Sequence, residues 1–335
     1  MFSESFSGVR LMSATENLPV IQSFDTAVLF LVFNRPDTTR QVFEAIRQAK
    51  PPRLYVASDG PRIDCQGEAE VVAEVREIIK NIDWKCEVKT LFRDSNLGCK
   101  RAVSEAITWF FESEECGIVL EDDCLPHPEF FSYCQELLQR YASDERIWGV
   151  TGNNFQSGIV RGSGSYYFSK YFHCWGWASW RRAWRSYDVS LSYWPEWSRS
   201  VDWIEKTPDS VERAFWQNIF NKTYDGQINT WDYQWTACIW RYAGLVATPN
   251  VNLVSNIGFG AGATHTTSDT SQFAEMEVQS LGSMIHPVNI ERDVLADRYT
   301  FDYHLEGAGL RFPYNLLRLP LRALSYINRK VFRAG

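Results

Sequence analysis

Between residues 27 and 141 the chain alternates short apolar runs with longer segments whose apolar residues recur at helical spacing. Ala27 to Phe33 is continuously apolar, and Leu54 to Ala57, Glu87 to Phe92 and Ile118 to Leu120 are three further β-forming runs. Between them stand Val42, Phe43, Ile46 and Ala49, then Val71, Val72, Val75, Ile78 and Ile79, then Ala102, Val103, Ala106, Ile107 and Phe110. Phe130, Phe131, Cys134, Leu137, Leu138 and Tyr141 continue the same spacing after the last run, the mark of an amphipathic helix. Strands that are apolar without alternation are covered on both faces. Strand–helix repetition of this kind predicts an α/β fold, a Rossmann-like, mainly parallel sheet flanked by helices with right-handed crossovers.

Each apolar run ends in a polar turn: Asn34-Arg35, Ser58-Asp59, Asp94-Ser95-Asn96 and Glu121-Asp122-Asp123. In a parallel sheet these turns share the carboxyl edge, where α/β proteins bind ligands. An acidic triplet alone is an ordinary solvated loop. Three acids at the end of a buried strand are different, because like charges raise one another's pKa unless a cation compensates them. Mg²⁺ and Mn²⁺ take carboxylate oxygens and bridge them to substrate phosphates. The stretch therefore reads as a metal–diphosphate site with Mn²⁺ or Mg²⁺ as cofactor. Arg35 would counter the diphosphate charge, and Asp59 would accept from a base or ribose. Neither turn has the glycine spacing of a dinucleotide fingerprint or a P-loop.

The second half changes character. Eleven of the 14 tryptophans fall between Tyr166 and Arg241, including Trp175-Gly176-Trp177 and Trp231-Asp232-Tyr233. Trp usually packs in the core, but its face also stacks on sugar rings, so Trp175, Trp177 and Trp231 are candidates for a sugar-binding wall. Asp232 among these aromatics either accepts from Trp or backbone N–H groups or serves as a general base in an apolar pocket. Asp188 and Asp202 are the alternatives. A strand is expected from Val251 to Ile257, followed by the Gly-rich loop Gly258 to Thr267, in which Thr264 can donate to phosphate and His265 can ligate a metal. A plain surface loop fits the same composition.

Composition narrows the classes. The net charge of −7 over 335 residues argues against a nucleic-acid binder. Eight cysteines without a C-x-x-C pair suggest reduced thiols and a cytoplasmic location. Residues 1–25 read as a loose leader, with Met12 an alternative start, and no run approaches the length of a membrane span. Residues 311–335 carry six basic residues, no acid and a series of leucines. Such a basic amphipathic tail either lies peripherally on an anionic membrane, on the inner face for a cytoplasmic protein, or packs on the protein's own acidic surface.

The acidic run with Pro128-Glu129-Phe130-Phe131 behind it resembles the metal-binding motif of GT-A-fold glycosyltransferases, in the variant of N-acetylglucosaminyltransferase I and related bacterial sugar transferases. Asn34-Arg35, Trp175-Gly176-Trp177, Trp231-Asp232 and Phe259 to His265 resemble further segments of that family in the same order, so the likeness spans about residues 27–265. Tyr233 stands where relatives carry a second acid after the aspartate. The resemblance implies that Asp123 binds the metal with His265, that Asp122 lies near the ribose or metal-bound water, and that Glu121 holds donor sugar hydroxyls. It further implies diphosphate contacts from Asn34, Arg35 and Thr264, a nucleobase contact from Asp59, and Asp232 as the base. On this reading residues 26–150 form the nucleotide-sugar half and 151–310 the acceptor half of one domain. The implied activity is metal-dependent, inverting transfer from a nucleoside-diphosphate sugar to a glycan or lipid-linked acceptor. A sugar-1-phosphate nucleotidyltransferase and a non-catalytic carbohydrate-binding protein are the alternatives.

Overall fold

The computed structural model describes residues 24–259 and 276–317. One eight-stranded sheet runs through both halves of the chain. Its strands are β1 (Val28–Val32), β2 (Arg53–Ser58), β3 (Glu87–Phe92), β4 (Cys116–Glu121), β6 (Ile147–Thr151), β7 (Tyr166–Ser169), β8 (Trp177–Trp180) and β9 (Leu245–Pro249). Their order is β3-β2-β1-β4-β8-β6-β9-β7. β5 (Cys124–Pro126) and β10 (Val254–Asn256) pair separately as an antiparallel ribbon.

The first four strands are mutually parallel, as the alternation predicts, with α1 (Pro36–Ala49), α2 (Glu68–Ile78), α3 (Cys99–Ser113) and α4 (Glu129–Arg140) packed around them. β1 shows why its sequence lacks alternation. Leu29 and Leu31 enter one core with α3 and the tryptophans, while Val28, Phe30 and Val32 enter the other with α1, α2 and α4. Both faces are buried, so neither set of side chains is polar. Pro36 opens α1, where its missing N–H costs nothing, and Lys50 closes the helix in the left-handed region.

The second half joins the same sheet with mixed polarity. β8 is antiparallel to β4 and to β6, β6 is parallel to β9, and β7 is antiparallel to β9. The strand expected over residues 251–257 is shorter and placed differently: Leu245–Pro249 is the sheet strand, and only Val254–Asn256 is extended beyond it. The break falls at Asn250 and Asn252, whose side chains bond to nearby carbonyls, Asn250 to Arg161 and Gly164 and Asn252 to Val254. Such local side-chain bonds compete with strand pairing. Among the described residues no helix is long and apolar enough to cross a membrane.

Candidate active site at the carboxyl edge of the sheet

β1, β2, β3 and β4 run in one direction, and β6 shares it because two antiparallel steps separate it from β4. Their carboxyl ends therefore open on one edge, beside a cavity of about 910 Å³. Asn34, Arg35, Asp59, Glu121, Asp122, Asp123, Trp175, Trp231 and Asp232 all line it. Thr264 and His265 lie outside the described residues.

Glu121 is the last residue of β4, and Asp122 and Asp123 form the turn into β5. The Phe33 N–H donates to Asp122 at 3.0 Å. Arg35 Nη1 lies 2.6 Å from Asp123 Oδ2 and 3.6 Å from Asp122 Oδ1. The Ile257 N–H donates to the Asp123 carbonyl at 2.8 Å, so the end of the β5–β10 ribbon buttresses the acidic turn. Gly258 packs directly on the Asp123 side chain, where an added Cβ would lie 2.5 Å from Asp123 Cβ.

Removal from water pushes the Glu121 carboxyl up to about 8, reinforced by the charges of Asp123, Asp122 and Asp232 and opposed by Arg35. Asp122 is pushed up to about 7 by desolvation and then Asp123, against Arg35 and the Phe33 N–H. These carboxyls crowd one guanidinium, which leaves an acidic surplus on the wall. No group of three or more His, Cys, Asp or Glu side chains among the described residues is arranged to hold a metal ion. Mg²⁺-like ions need only one or two carboxylates, with phosphate and water completing the shell. An oxygen donor set with surplus negative charge fits such an ion.

The remaining side chains divide by their partners. Both Asp59 oxygens accept backbone N–H groups: Oδ1 from Gly60 (2.9 Å), both from Leu97 (3.0 and 3.1 Å) and Oδ2 from Gly98 (3.1 Å). Asp59 thus ties the β2 turn to the entry of α3. Asn34 Nδ2 donates to Glu68 at 2.9 Å, and Glu68 is clamped by Arg62. Arg62 also lines the cavity and lies 5.6 Å from the Phe33 ring centre.

Asp232 is the first residue of helix Asp232–Arg241, lines the cavity, and accepts from the Thr230 hydroxyl. The helix N-terminus favours its negative charge. It is close enough to Glu121 to raise that group's pKa. Asp188 and Asp202 do not line the cavity. Asp188 accepts from Ser190 and Ser192, and Asp202 from Trp197 Nε1 at 2.7 Å.

One expected wall residue is misplaced by the sequence reading. Trp177 is wholly buried in β8, stacks on Trp231 at 5.5 Å and does not reach the cavity. Its register opposite Val119 of β4 turns it into the core. Trp175 remains at the edge, against Phe155 and Phe259. Asn153, Phe155, His173 and His304 also line the cavity and were not anticipated. His173 is held well below its ordinary pKa by burial, and burial lowers His304 to about 4, so both imidazoles are neutral. The pattern that exposed the other turns, an apolar run followed by polar residues, recurs at Ile147 to Asn154 and would have found Asn153.

No protein-family model matches the chain, and no curated protein matches it significantly. Among solved structures it is similar to S. aureus TarS 1-349, at 9% identity over 68% of this chain and 58% of that one, TM-score 0.37. An apo UDP-glucose pyrophosphorylase aligns at 9% identity over 67% of this chain and 90% of its own, TM-score 0.35. A CMP:2-keto-3-deoxy-manno-octonic acid synthetase complexed with CTP aligns at 15% identity, over 55% and 86%, TM-score 0.32. These are partial, low-identity likenesses, and the site's chemistry rests on its own residues.

Proposed function

We propose that the protein is a metal-dependent glycosyltransferase that moves a sugar from a nucleoside diphosphate to an acceptor hydroxyl with inversion. One observation carries the reading: the Arg35–Asp122–Asp123 cluster and Asp232, carried by separate segments of the chain, line one cavity. Transfer through an oxocarbenium-like transition state needs charge stabilisation at the leaving group on one side of the sugar and a proton acceptor on the other.

Asp123, with Asp122, would hold Mn²⁺ or Mg²⁺, which when bound supplies Lewis-acid stabilisation of the departing diphosphate. Arg35 would add a donor to the phosphates. Glu121 would meet the donor sugar's hydroxyls. Asp232 takes the acceptor O–H proton while that oxygen bonds to the anomeric carbon, and the bond from that carbon to the diphosphate oxygen breaks. Trp175, at the cavity edge, would stack on a sugar ring.

The test is titration of UDP and GDP with and without Mn²⁺, followed by turnover with the sugar nucleotide that binds. Release of nucleoside diphosphate is the expected product. Exchange of inorganic diphosphate into a sugar nucleotide would make the protein a nucleotidyltransferase instead, and metal-independent binding would remove the metal site.

A further inference from the structure

The charges of the cavity are divided between the two halves of the chain. Its cations, Arg35, Arg62 and Arg93, follow the first three strands. Each is engaged by a carboxylate: Arg35 by Asp123, Arg62 by Glu68, and Arg93 by Glu105 at 3.2 Å. From residue 153 onward the described lining contains no Lys or Arg, and Asp232 is its one acid. Lys170 does not line the cavity; it is held by Glu212 at 2.8 Å and lies 3.9 Å from the Trp240 ring centre. His173 and His304 do line it, and burial keeps both imidazoles neutral.

The same part of the lining carries a connected row of rings. Phe259 follows the Gly258 that packs on Asp123, and it meets Trp175 at 5.7 Å. Trp175 meets Phe155 edge-on at 5.6 Å, and His304 lies flat on Phe155, with 3.7 Å between centroids and 14° between planes. His173 and Trp175 flank Cys174, whose thiol is raised by burial and then by the charges of Asp232, Glu121 and Asp123. The row thus starts beside the acidic turn and runs close to the proposed base. Tyr233, the residue after Asp232, adds a ring edge-on to Trp216 at 5.9 Å. Trp175, Tyr233 and His304 are only partly buried, and Thr236 and Thr300 add uncharged polar groups to the lining.

We infer that this part of the cavity is a subsite for an uncharged sugar ring, held by Trp175, Tyr233 and His304, and that it rejects rings bearing phosphate or carboxylate. The apolar C–H faces of a sugar suit aromatic surface. Its hydroxyls both donate and accept, as do threonine hydroxyls and neutral imidazoles. An anionic ring would give up water without gaining a cation among the described residues. It would also stand near Asp232 and Glu121, a juxtaposition of like charges that opposes binding. Calling this ring the acceptor rests on the transferase reading; the sugar subsite itself does not.

Saturation-transfer NMR of the full-length protein with Mg²⁺ and UDP or GDP tests the subsite. The probes are the methyl glycosides of glucose, galactose, mannose and N-acetylglucosamine, set against glucuronate and glucose 6-phosphate. Binding is expected among the neutral sugars and not for the two anions. Tyr233→Ala and His304→Ala should each weaken the neutral sugars about two- to tenfold, the worth of one ring contact. The two residues lie on separate segments, so a folding defect in one variant leaves the other readable. His304→Arg keeps a planar group over Phe155 and introduces a cation, so it should raise affinity for the anionic sugars about tenfold or more. No binding of any neutral sugar, equal binding of the anions, or binding untouched by both alanine variants would overturn the subsite. A His304→Arg variant that gains nothing for the anions would overturn the charge selection. Titration of UDP and GDP into the same proteins reports the transferase reading separately. Loss of nucleotide binding with sugar binding intact would refute that reading alone, and the reverse would refute only the subsite.

Discussion

Arg35 and Asp123, 88 residues apart in the chain, meet at 2.6 Å between Nη1 and Oδ2. The same nitrogen reaches Asp122 Oδ1 at 3.6 Å. One guanidinium is thus shared by two carboxylates, with Glu121 and Asp232 in the same cavity. A divalent cation would resolve that imbalance, and the proposed metal dependence rests on it.

Asp123→Ala is expected to remove the Mn²⁺ dependence of UDP or GDP binding while the protein stays folded. Arg35→Gln should weaken a nucleoside diphosphate by about tenfold to a hundredfold, the range for a lost charge-assisted hydrogen bond, and a monophosphate much less. Isothermal titration measures both, and unchanged metal-linked affinity in Asp123→Ala would refute the assignment.

The raised carboxyls make a pH prediction. Glu121 at about 8 and Asp122 at about 7 bind more protons in the folded than in the unfolded state. Their contribution to stability is therefore greatest in acid and is lost as pH rises from the ordinary carboxyl range through 7 and 8. Mn²⁺ should counter this, because a metal favours the deprotonated forms. Melting temperature measured without metal should fall from pH 5 to about 8 and level off above that. The stabilisation by Mn²⁺ plus UDP should grow over the same interval, and a metal effect independent of pH would count against these groups as ligands.

Gly258→Ala puts a methyl group against Asp123 without touching the acidic residues themselves. Metal-linked nucleotide affinity should fall about tenfold or more as the carboxylate is displaced, roughly the cost of a 1.4 kcal/mol misfit. Wild-type affinity in this variant would mean that Asp123 moves freely.

Trp177 and Trp175 separate core from wall. Trp177→Ala should cost about 3–5 kcal/mol of stability, since it empties a fully buried site. Trp175→Ala should leave stability within about 1–2 kcal/mol and weaken sugar-nucleotide binding relative to the free nucleotide. Denaturant titration and calorimetry read the two effects, and equal destabilisation by both would place Trp175 in the core.

Asp232→Asn keeps the shape of the side chain and its bond from Thr230. It should preserve nucleotide and metal affinity and lower turnover by about 10²–10⁴-fold, the usual worth of a general base. Near wild-type turnover would assign the base elsewhere, and joint loss of activity and thermal stability would make Asp232 a structural acceptor.

Of the four parallel strands β1, β2 and β4 were legible in the sequence because a strand buried on both faces must be written in consecutive apolar residues, and the helices in residues three and four apart; β3, the exposed edge strand, was legible from its β-forming residues. The acidic edge was legible for a related reason: three carboxylates directly after such a strand have no other place to lie. The later strands were not. Tyr166–Ser169 and Trp177–Trp180 are four residues long, with three and two aromatics, too short to carry a period that separates strand from helix. Trp175 and Trp177 have the same side chain two positions apart, yet pairing with β4 and β6 buries one while the other stays at the cavity edge. Local sequence holds no record of that pairing. The approach of Arg35 to Asp123, the closure of Leu97 and Gly98 onto Asp59, and the placement of Asp232 in the same cavity as Arg35 all depend on contacts between distant segments. Residue type supplied the chemistry, and only the packing of the sheet decided which of those residues meet.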